Sequence, residues 1–187
     1  MPRIADANLR DRILQAAFLL WHKHGEKSLT LRAVAKAAGT TTPTVYKRFP
    51  DKESLILAIA FDVRARFAEL IMASRSLEDA ARVYLEMAEN SPHEYQLAFG
   101  PHWPQLYSLG DDQPGLLWAE RKCAERYGGY AGQYSVIVRG LWMLLHGTAS
   151  LLSLQPKGEI AARLRQNCLA ACDKIVAKAD YFRDAGR

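Results

Sequence analysis

Residues 39–49, GTTTPTVYKRF, concentrate groups that can hydrogen-bond to nucleic-acid bases and phosphates. The hydroxyl and methyl groups of Thr42 and Thr44 suit base donors, base acceptors or a thymine methyl, and the Lys47 ammonium suits a guanine or a phosphate. Pro43 fits the first turn of a helix, where no intrahelical N–H is needed. The pattern predicts a short recognition helix that enters the major groove of DNA.

The residues before this helix predict the element that holds it. Leu31–Ala38 has apolar residues at helical spacing, and Thr30 is placed to cap its first turn. Gly39 then provides a turn. Residues 40–42 offer threonine hydroxyls as caps for the recognition helix, Thr42–Phe49. Together the two helices form a predicted helix-turn-helix.

Each candidate DNA contact also has a purely structural interpretation. Thr41 and Thr44 can cap a helix through their hydroxyls. Tyr46 can pack against the following helix, and Lys47 and Arg48 can form a solvated face. The sequence leaves these alternatives open.

Positive charge is concentrated in the same part of the chain. Residues 1–53 hold 10 Lys or Arg and 5 Asp or Glu, whereas residues 54–187 hold 15 of each. The whole net charge of +5 therefore belongs to the first segment. Such an excess is expected where a protein meets phosphate, although a chance fluctuation of surface charge is the alternative.

Helical periodicity interrupted by glycine and proline predicts an all-α fold of about nine helices. We predict a three-helix helix-turn-helix DNA-binding domain at residues 1–53 and a second helical domain at residues 54–187. Asp51 is placed to cap the fourth helix. Ser76 is placed to cap the fifth helix, and Pro92 marks the break before the sixth. Residues 100–115, which include Pro104, have loop signals. The predicted helices are Asn8–His24, Leu31–Ala38, Thr42–Phe49, Lys52–Ala73, Leu77–Asn90, His93–Phe99, Leu116–Tyr127, Gln133–Leu154 and Glu159–Phe182.

A series of landmarks runs through residues 8–60: a helix ending in glycine, a threonine-started helix with two alanines, a glycine turn, a short helix with tyrosine and phenylalanine, and Lys-Glu. The residues are Gly25, Thr30, Ala35, Ala38, Gly39, Tyr46, Phe49, Lys52 and Glu53. This pattern resembles the TetR family of transcriptional regulators. Thr40 departs from it, since the family more often has an apolar residue there.

The resemblance implies which residues face DNA. Lys52 begins the fourth helix, so that its ammonium and the free N–H groups of the first turn can hold one phosphate. In the family this long helix connects the DNA-binding part to a regulatory part, so the resemblance implies that residues 54–187 form a helical regulatory domain for ligand binding and dimerisation. The candidate DNA-binding residues are Arg32, Thr41, Thr42, Pro43, Thr44, Tyr46, Lys47, Arg48 and Lys52.

The last two predicted helices have more apolar surface than packing within one chain requires. Gly140 and Gly147 share one face of the eighth helix, where another helix can approach closely. We predict a homodimer sealed by a four-helix bundle, which is also how the TetR family dimerises. The predicted interface residues are Gly140, Leu144, Gly147, Leu151, Leu164, Cys168, Ala171 and Ile175.

Aromatic and histidine side chains are concentrated in the second half of the chain. The family resemblance implies a pocket there, which suits a small hydrophobic or aromatic effector. The alternative is a packed core with hydrogen-bonded histidines, and His146 on an apolar helix fits that alternative. The candidate effector-binding residues are Phe99, His102, Trp103, Tyr107, Trp118, Trp142 and His146.

Two further pieces, YQLAFG and LWMLLHG, resemble the TetR subgroup whose regulatory domain is named for a Trp, a His and a Gly. Trp142, His146 and Gly147 match those three residues. The resemblance as a whole implies a repressor that leaves a palindromic double-stranded operator when an effector binds. A constitutive or activating regulator without a small-molecule effector is the alternative.

Other classes have weaker support. No P-loop, GxSxG or HExxH signature favours an enzyme, and no cofactor or metal is predicted. Three cysteines without a CxxC pair favour a reducing, cytoplasmic setting, although Cys168 and Cys172 stand four residues apart, as metal-binding or oxidant-sensing residues can. The apolar run at 140–154 is expected to be a buried helix, too short and too polar to span a membrane.

Overall fold

The computed structural model describes residues 8–108, 113–156 and 158–182, apart from the side chains of residues 103, 107, 108 and 182. No residue in these ranges lies in a β-strand, and the all-α prediction is confirmed. The helices are α1 (Leu9–His24), α2 (Leu31–Ala37), α3 (Thr42–Tyr46), α4 (Lys52–Met72), α5 (Leu77–Asn90), α6 (Pro92–Phe99), α7 (Trp103–Ser108), α8 (Pro114–Tyr127), α9 (Ser135–Leu152) and α10 (Glu159–Val176).

The first two helices begin and end where the sequence predicts. The backbone N–H of Gly25 donates to the Trp21 carbonyl at 2.7 Å, and its φ of 66° is a left-handed conformation that favours glycine. The Thr30 hydroxyl accepts the Ala33 N–H at 3.1 Å and caps α2. These local bonds give α2 defined ends, which position it against α1.

The recognition helix is shorter than predicted, and the prediction that a threonine hydroxyl caps its first turn is wrong. Gly39 provides the predicted turn with φ 66°. Thr41 is the N-cap residue, but its hydroxyl bonds the Thr44 hydroxyl at 2.8 Å and caps no backbone N–H. Val45 and Phe49 are buried, so one side of this segment packs inward while its other sides remain outside.

Helix α4 joins the N-terminal helices to the rest of the molecule. The Asp51 carboxylate accepts the Ser54 N–H at 2.7 Å, while the Ser54 side chain lies 3.4 Å from the Asp51 N–H, which completes a capping box. The bond from the Ser54 backbone is the main reason that the pKa of Asp51 is lowered. Along its length α4 packs against α1, α5, α6 and α8, so it connects the N-terminal and C-terminal parts of one continuous core.

The break predicted at Pro92 is present one residue earlier, at Ser91, and Pro92 is the first residue of α6. The loop prediction for residues 100–115 is wrong in part, because residues 103–108 form the short helix α7. Pro104 is the second residue of α7, a position that lacks an intrahelical N–H bond in any helix. Both prolines therefore start helices.

Helix α9, expected to be a buried helix, packs against α5, α8 and α10, but its outer face is exposed in the single chain. A 3-10 turn, Ala131–Tyr134, precedes it. The segment Ala131–Leu152 is long and apolar enough, by length and composition alone, to cross a membrane, and 28% of its most apolar window is buried. One helix of this kind is weak evidence for a span. Its burial leaves one apolar face without a partner in the described chain.

Candidate DNA-binding surface and ligand cavity

The predicted DNA-binding residues lie together on and around α3, and none of them is buried. Tyr46 is 52% exposed, so the alternative that it packs against α4 does not hold. Arg32, Lys47 and Arg48 are also exposed, whereas Thr42 and Thr44 are half-buried. The surface offers hydroxyls, a phenol and cations on a helix anchored from behind by Val45.

The Lys52 side chain is 42% exposed at the edge of this surface and already has an anionic neighbour. Its Nζ lies 3.3 Å from Glu26 Oε1 and 3.4 Å from the Glu26 carbonyl oxygen. A phosphate at the start of α4 would therefore compete with Glu26 for the ammonium. Because the pair is exposed, its net stabilisation is small and exchange for a phosphate costs little.

A cavity of about 140 Å³ lies among α4, α5, α6, α8, α9 and α10. Its walls are mostly apolar: Phe67 and Ile71 come from α4, Met87 from α5, Trp118 from α8 and Leu141 from α9. Because these positions are far apart in the chain, no single sequence pattern marks the cavity.

Most of the lining residues were not predicted from the sequence, and Arg64 of α4 is one of them. Its Nη1 donates to the Ala98 carbonyl at 3.0 Å, and its Cζ lies 5.0 Å from the centre of the Phe99 ring. Burial lowers the pKa of Arg64, and the neighbouring Tyr84 partly opposes this. Among the described residues that line the cavity, Arg64 alone carries a formal charge.

A polar network stands behind the cavity wall. The Tyr95 hydroxyl lies 2.8 Å from His146 Nδ1, and the Tyr84 hydroxyl lies 3.3 Å from the same nitrogen. The Trp142 ring stacks on the His146 ring with centroids 5.2 Å apart. Burial is the first cause, and the Arg64 charge the second, of a lowered His146 pKa. The neutral imidazole of His146, on α9, thus links Tyr84 of α5 with Tyr95 of α6.

The predicted effector residues divide into three groups. Phe99, Trp118 and Trp142 line the cavity. His102 and His146 are not among its lining residues, and their role in effector binding stays a prediction; the His146 ring stacks on Trp142, which does line the cavity. Trp103 and Tyr107 belong to α7, but their side chains lie outside the described residues.

Helix α6 connects the cavity to the N-terminal helices. At its end Phe99 lines the cavity, and at its start His93 and Glu94 contact α1. The Trp21 indole N–H donates to the His93 carbonyl at 2.7 Å, and His22 Nδ1 lies 2.7 Å from Glu94 Oε1. A displacement of α6 would therefore change its hydrogen bonds with α1.

The outer face of α9 is apolar and exposed. Met143 is 62% exposed and Leu151 50%, and a Cβ added at Gly140 or Gly147 would meet no atom within 4 Å. The stripe runs at helical spacing through Val136, Gly140, Met143, Gly147, Leu151 and Leu154. A continuous apolar stripe of this length is typical of a helix–helix interface.

Not every predicted interface residue lies on that stripe. Cys168 is buried inside the protomer, with its Sγ 4.0 Å from the Leu144 carbonyl oxygen, so its prediction as an interface residue is wrong. Leu144, Leu164 and Ile175 are half-buried against the protomer's own core, and Ala171 is half-buried. Gly140, Gly147 and Leu151 remain available to a partner.

The cysteines have the properties of core residues. All three are free and buried. Burial raises the pKa of Cys123 to about 11 and that of Cys172 to about 12, which keeps both thiols protonated and unreactive near neutral pH. The described residues contain no group of His, Cys, Asp or Glu arranged to hold a metal ion.

Two family models match the chain in succession. Residues 13–59 match "Bacterial regulatory proteins, tetR family", and residues 77–166 match "Tetracyclin repressor-like, C-terminal domain". The first match contains α2 and α3, and the second contains much of the cavity wall. The narrower resemblance to the Trp-His-Gly subgroup stays a prediction.

Curated relatives match over shorter spans. The HTH-type transcriptional repressor AcnR of Corynebacterium glutamicum is 34% identical over 82 residues, which cover 44% of this chain and 43% of that protein. The HTH-type transcriptional repressor ComR of Escherichia coli is 31% identical over 94 residues, 48% of this chain and 43% of that protein. The chain thus spans less than half the length of the curated relatives it matches.

Solved structures share the fold over nearly the whole chain. A TetR variant from Acinetobacter baumannii AYE in complex with minocycline has a TM-score of 0.67 at 17% identity, covering 94% of this chain and 98% of that one. GusR of Salmonella enterica has a TM-score of 0.64 at 17% identity, covering 95% and 100%. By its two successive domain matches and its fold, the chain belongs to the TetR family of bacterial regulatory proteins.

Proposed function

We propose that this protein is a homodimeric, sequence-specific DNA-binding repressor that a small apolar or aromatic ligand releases from its operator. The observation that carries the proposal is the exposed α3, whose hydroxyls, tyrosine and cations face outward while Val45 and Phe49 hold it from behind. Such a helix can enter the major groove without unfolding.

Dimerisation follows from the exposed stripe on α9. A second copy that covers it would form a four-helix bundle with α10 and would place two recognition helices on one DNA face. Half-sites about 34 Å apart, one turn of DNA, would then read a palindromic operator. We assign DNA contact to residues 1–53 and ligand binding and dimerisation to residues 54–187, in a cytoplasmic protein.

Release requires that the ligand prefers the conformation that does not bind DNA. The cavity reaches both α4 and α6, and these two helices contact α1. A ligand that separates Arg64 from the Ala98 carbonyl would change how α4 and α6 hold the N-terminal helices. The distance between the two recognition helices would change in consequence.

DNase footprinting on the region upstream of the protein's own coding sequence tests this proposal. A protected palindrome whose protection one compound of a ligand panel relieves is the expected result. Protection that no compound relieves would favour the constitutive or activating alternative. A purified dimer that protects no site there or in a genome-wide selection would overturn the assignment to DNA.

A further inference from the structure

His146 on α9 stands between the cavity wall and α6. On one side its ring stacks on the indole of Trp142, with centroids 5.2 Å apart and an angle of 16° between the rings. On the other side its Nδ1 lies 2.8 Å from the Tyr95 hydroxyl of α6. Trp142 lines the cavity, whereas His146 and Tyr95 do not. The imidazole therefore connects a residue of the cavity wall with α6 from behind that wall.

The Nδ1 atom of His146 has two hydroxyls within reach. The Tyr84 hydroxyl of α5 lies 3.3 Å from it, only 0.5 Å farther than the Tyr95 hydroxyl at 2.8 Å. In a neutral imidazole this nitrogen carries either one proton or one lone pair, so it forms one strong hydrogen bond at a time. A small movement of the ring towards Tyr84 would therefore exchange one partner for the other.

Tyr95 keeps a hydrogen-bond partner in either arrangement. Its hydroxyl lies 3.2 Å from the His146 carbonyl oxygen and 3.5 Å from Ser150 Oγ. Because a buried hydroxyl without a partner is costly, these alternatives keep the two arrangements close in free energy. The network can therefore switch between two discrete sets of hydrogen bonds.

The first turn of α6 connects this network to α1. Tyr95 directly follows His93 and Glu94 in that turn. The His93 carbonyl accepts the Trp21 indole N–H at 2.7 Å, and Glu94 Oε1 lies 2.7 Å from His22 Nδ1. A change in how Tyr95 is held would therefore alter the bonds that its two neighbours make with α1.

We propose that His146 is a positioning residue that transmits occupation of the cavity to α6. An occupant that displaces the Trp142 indole moves the stacked imidazole, and Nδ1 exchanges Tyr95 for Tyr84. This inference rests on the proposed function only in that the change in α6 is also the signal that reaches the DNA-binding helices.

Benzene serves as the occupant in the test, because a cavity of about 140 Å³ is close in size to engineered apolar cavities that admit a benzene ring. Indole N–H signals in NMR spectra of the intact protein report both ends of the path, and each is assigned from its loss in a Trp→Phe variant. The Trp142 signal reports the cavity wall, and the Trp21 signal reports the bond between α1 and the His93 carbonyl.

Both signals of the wild-type protein are expected to move along one saturation curve as benzene is added. A Trp21 signal that stays in place while the Trp142 signal moves would overturn the proposal. So would the absence of any saturable movement of the Trp142 signal, because benzene would then not displace this wall.

Two variants interrupt the path and leave every lining residue in place. His146→Phe keeps a ring that can stack on Trp142 but removes the nitrogen, and Tyr95→Phe keeps the ring but removes the hydroxyl. In each variant benzene should still move the Trp142 signal with similar affinity, since neither residue lines the cavity. The movement of the Trp21 signal should fall about threefold or more.

The matched control removes a hydroxyl elsewhere in the core. Tyr134 is buried, as Tyr95 is, and its hydroxyl donates to a backbone carbonyl at the end of α8 at 2.7 Å. Tyr134→Phe should keep both movements. A Trp21 movement that persists in both folded path variants would mean that α6 responds through Phe99, which itself lines the cavity, and would overturn the role of His146.

Operator binding is measured separately, by fluorescence anisotropy with and without benzene. Coupled movements of the Trp142 and Trp21 signals in a protein that binds no operator would refute the proposed function and leave the role of His146 intact. Release by benzene that is equal in the wild type and in His146→Phe would refute the role of His146 alone. Release from the wild type that falls about threefold in His146→Phe is the result expected if both hold.

Discussion

The DNA-facing surface and the ligand cavity are built in opposite ways. The surface comes from one short stretch, in which successive residues of α3 point outward and Val45 points inward. The cavity comes from helices that lie far apart in the chain, and each contributes only a few side chains. The spacing of residues in one helix predicts a binding surface on that helix. A cavity between several helices cannot be predicted in this way, because it depends on how the helices pack.

The largest expected effect comes from a variant that cannot dimerise, because operator binding should then fall while the ligand cavity stays intact. We expect the double change Met143→Glu and Leu151→Glu to produce monomers, because carboxylates on the α9 stripe would otherwise be buried against each other. Operator affinity should fall about 100-fold or more, since one recognition helix binds alone. Light scattering after size-exclusion chromatography gives the mass, and anisotropy gives the affinity.

The control for this variant changes exposed leucines elsewhere. Leu70 and Leu117 are 52% and 43% exposed and lie off the α9 stripe. Leu70→Glu with Leu117→Glu should leave the dimer intact. A stable dimer of the α9 variant would instead contradict the assignment of that face.

Two neighbouring residues of α3 distinguish DNA contact from packing. Tyr46→Ala should weaken operator binding by about 1–3 kcal/mol. Its free energy of unfolding should change by less than about 0.5 kcal/mol, as for an exposed residue. Val45→Ala is the opposite case: it should lower the free energy of unfolding by about 1–3 kcal/mol through a small cavity. Operator binding that survives Tyr46→Ala unchanged would remove Tyr46 from the contact surface.

Filling the cavity tests the other region. Ala119 lines the cavity from α8, and Ala119→Leu should weaken ligand binding by about tenfold because the larger side chain occupies ligand space. Operator affinity without ligand should not change. Ala65→Leu on the exposed side of α4 is the matched control and should change neither quantity. Unchanged ligand affinity in the Ala119 variant would mean that the ligand binds elsewhere.

Lys52 and Glu26 give a smaller effect at the edge of the DNA surface. Lys52→Ala should weaken binding to all DNA sequences alike and reduce the slope of log K against log salt by about 1. Glu26→Gln should strengthen binding slightly, because the ammonium no longer has a competing carboxylate. A salt slope that Lys52→Ala leaves unchanged would exclude the phosphate contact.

The smallest expected effect concerns the contact between the two regions. Glu94→Gln removes the charge that faces His22 and should reduce the effect of the ligand on operator affinity by about threefold, with ligand affinity itself unchanged. Glu125→Gln, which alters a pair with Lys122 within α8, is the control and should leave this coupling as it is. An equal response of the two variants would show that the α1–α6 contact carries no coupling.

Local sequence signals predicted the N-terminal elements well. Thr30 and Ser76 cap α2 and α5 as predicted, and Gly25 and Gly39 adopt the left-handed conformations that their turns require. Such signals act within one turn of chain, so tertiary packing rarely overrides them. Prolines were less informative, since Pro92 and Pro104 were interpreted as breaks and instead stand in the first turns of helices.

The composition of the cavity could not be predicted in the same way. Arg64 stands two residues from Arg66 on the same helix, and nothing in the spacing indicates that one lines the cavity while the other lies over the Phe18 ring. Cys168 likewise stands on an apolar stripe that could face a partner, and the structure buries it in the protomer core. Helix rotation decides these cases, and rotation depends on all the neighbours of a helix together.

The sequence by itself determined the helix-turn-helix, the sign of the charge around it and the family, because each depends on residues close together in the chain. The tertiary structure decided that Arg64 faces an apolar cavity, that His146 stands behind its wall and that one face of α9 stays open. The physical reason is that a cavity or an interface is a property of several helices at once, and its energy comes from contacts between residues that are distant in sequence.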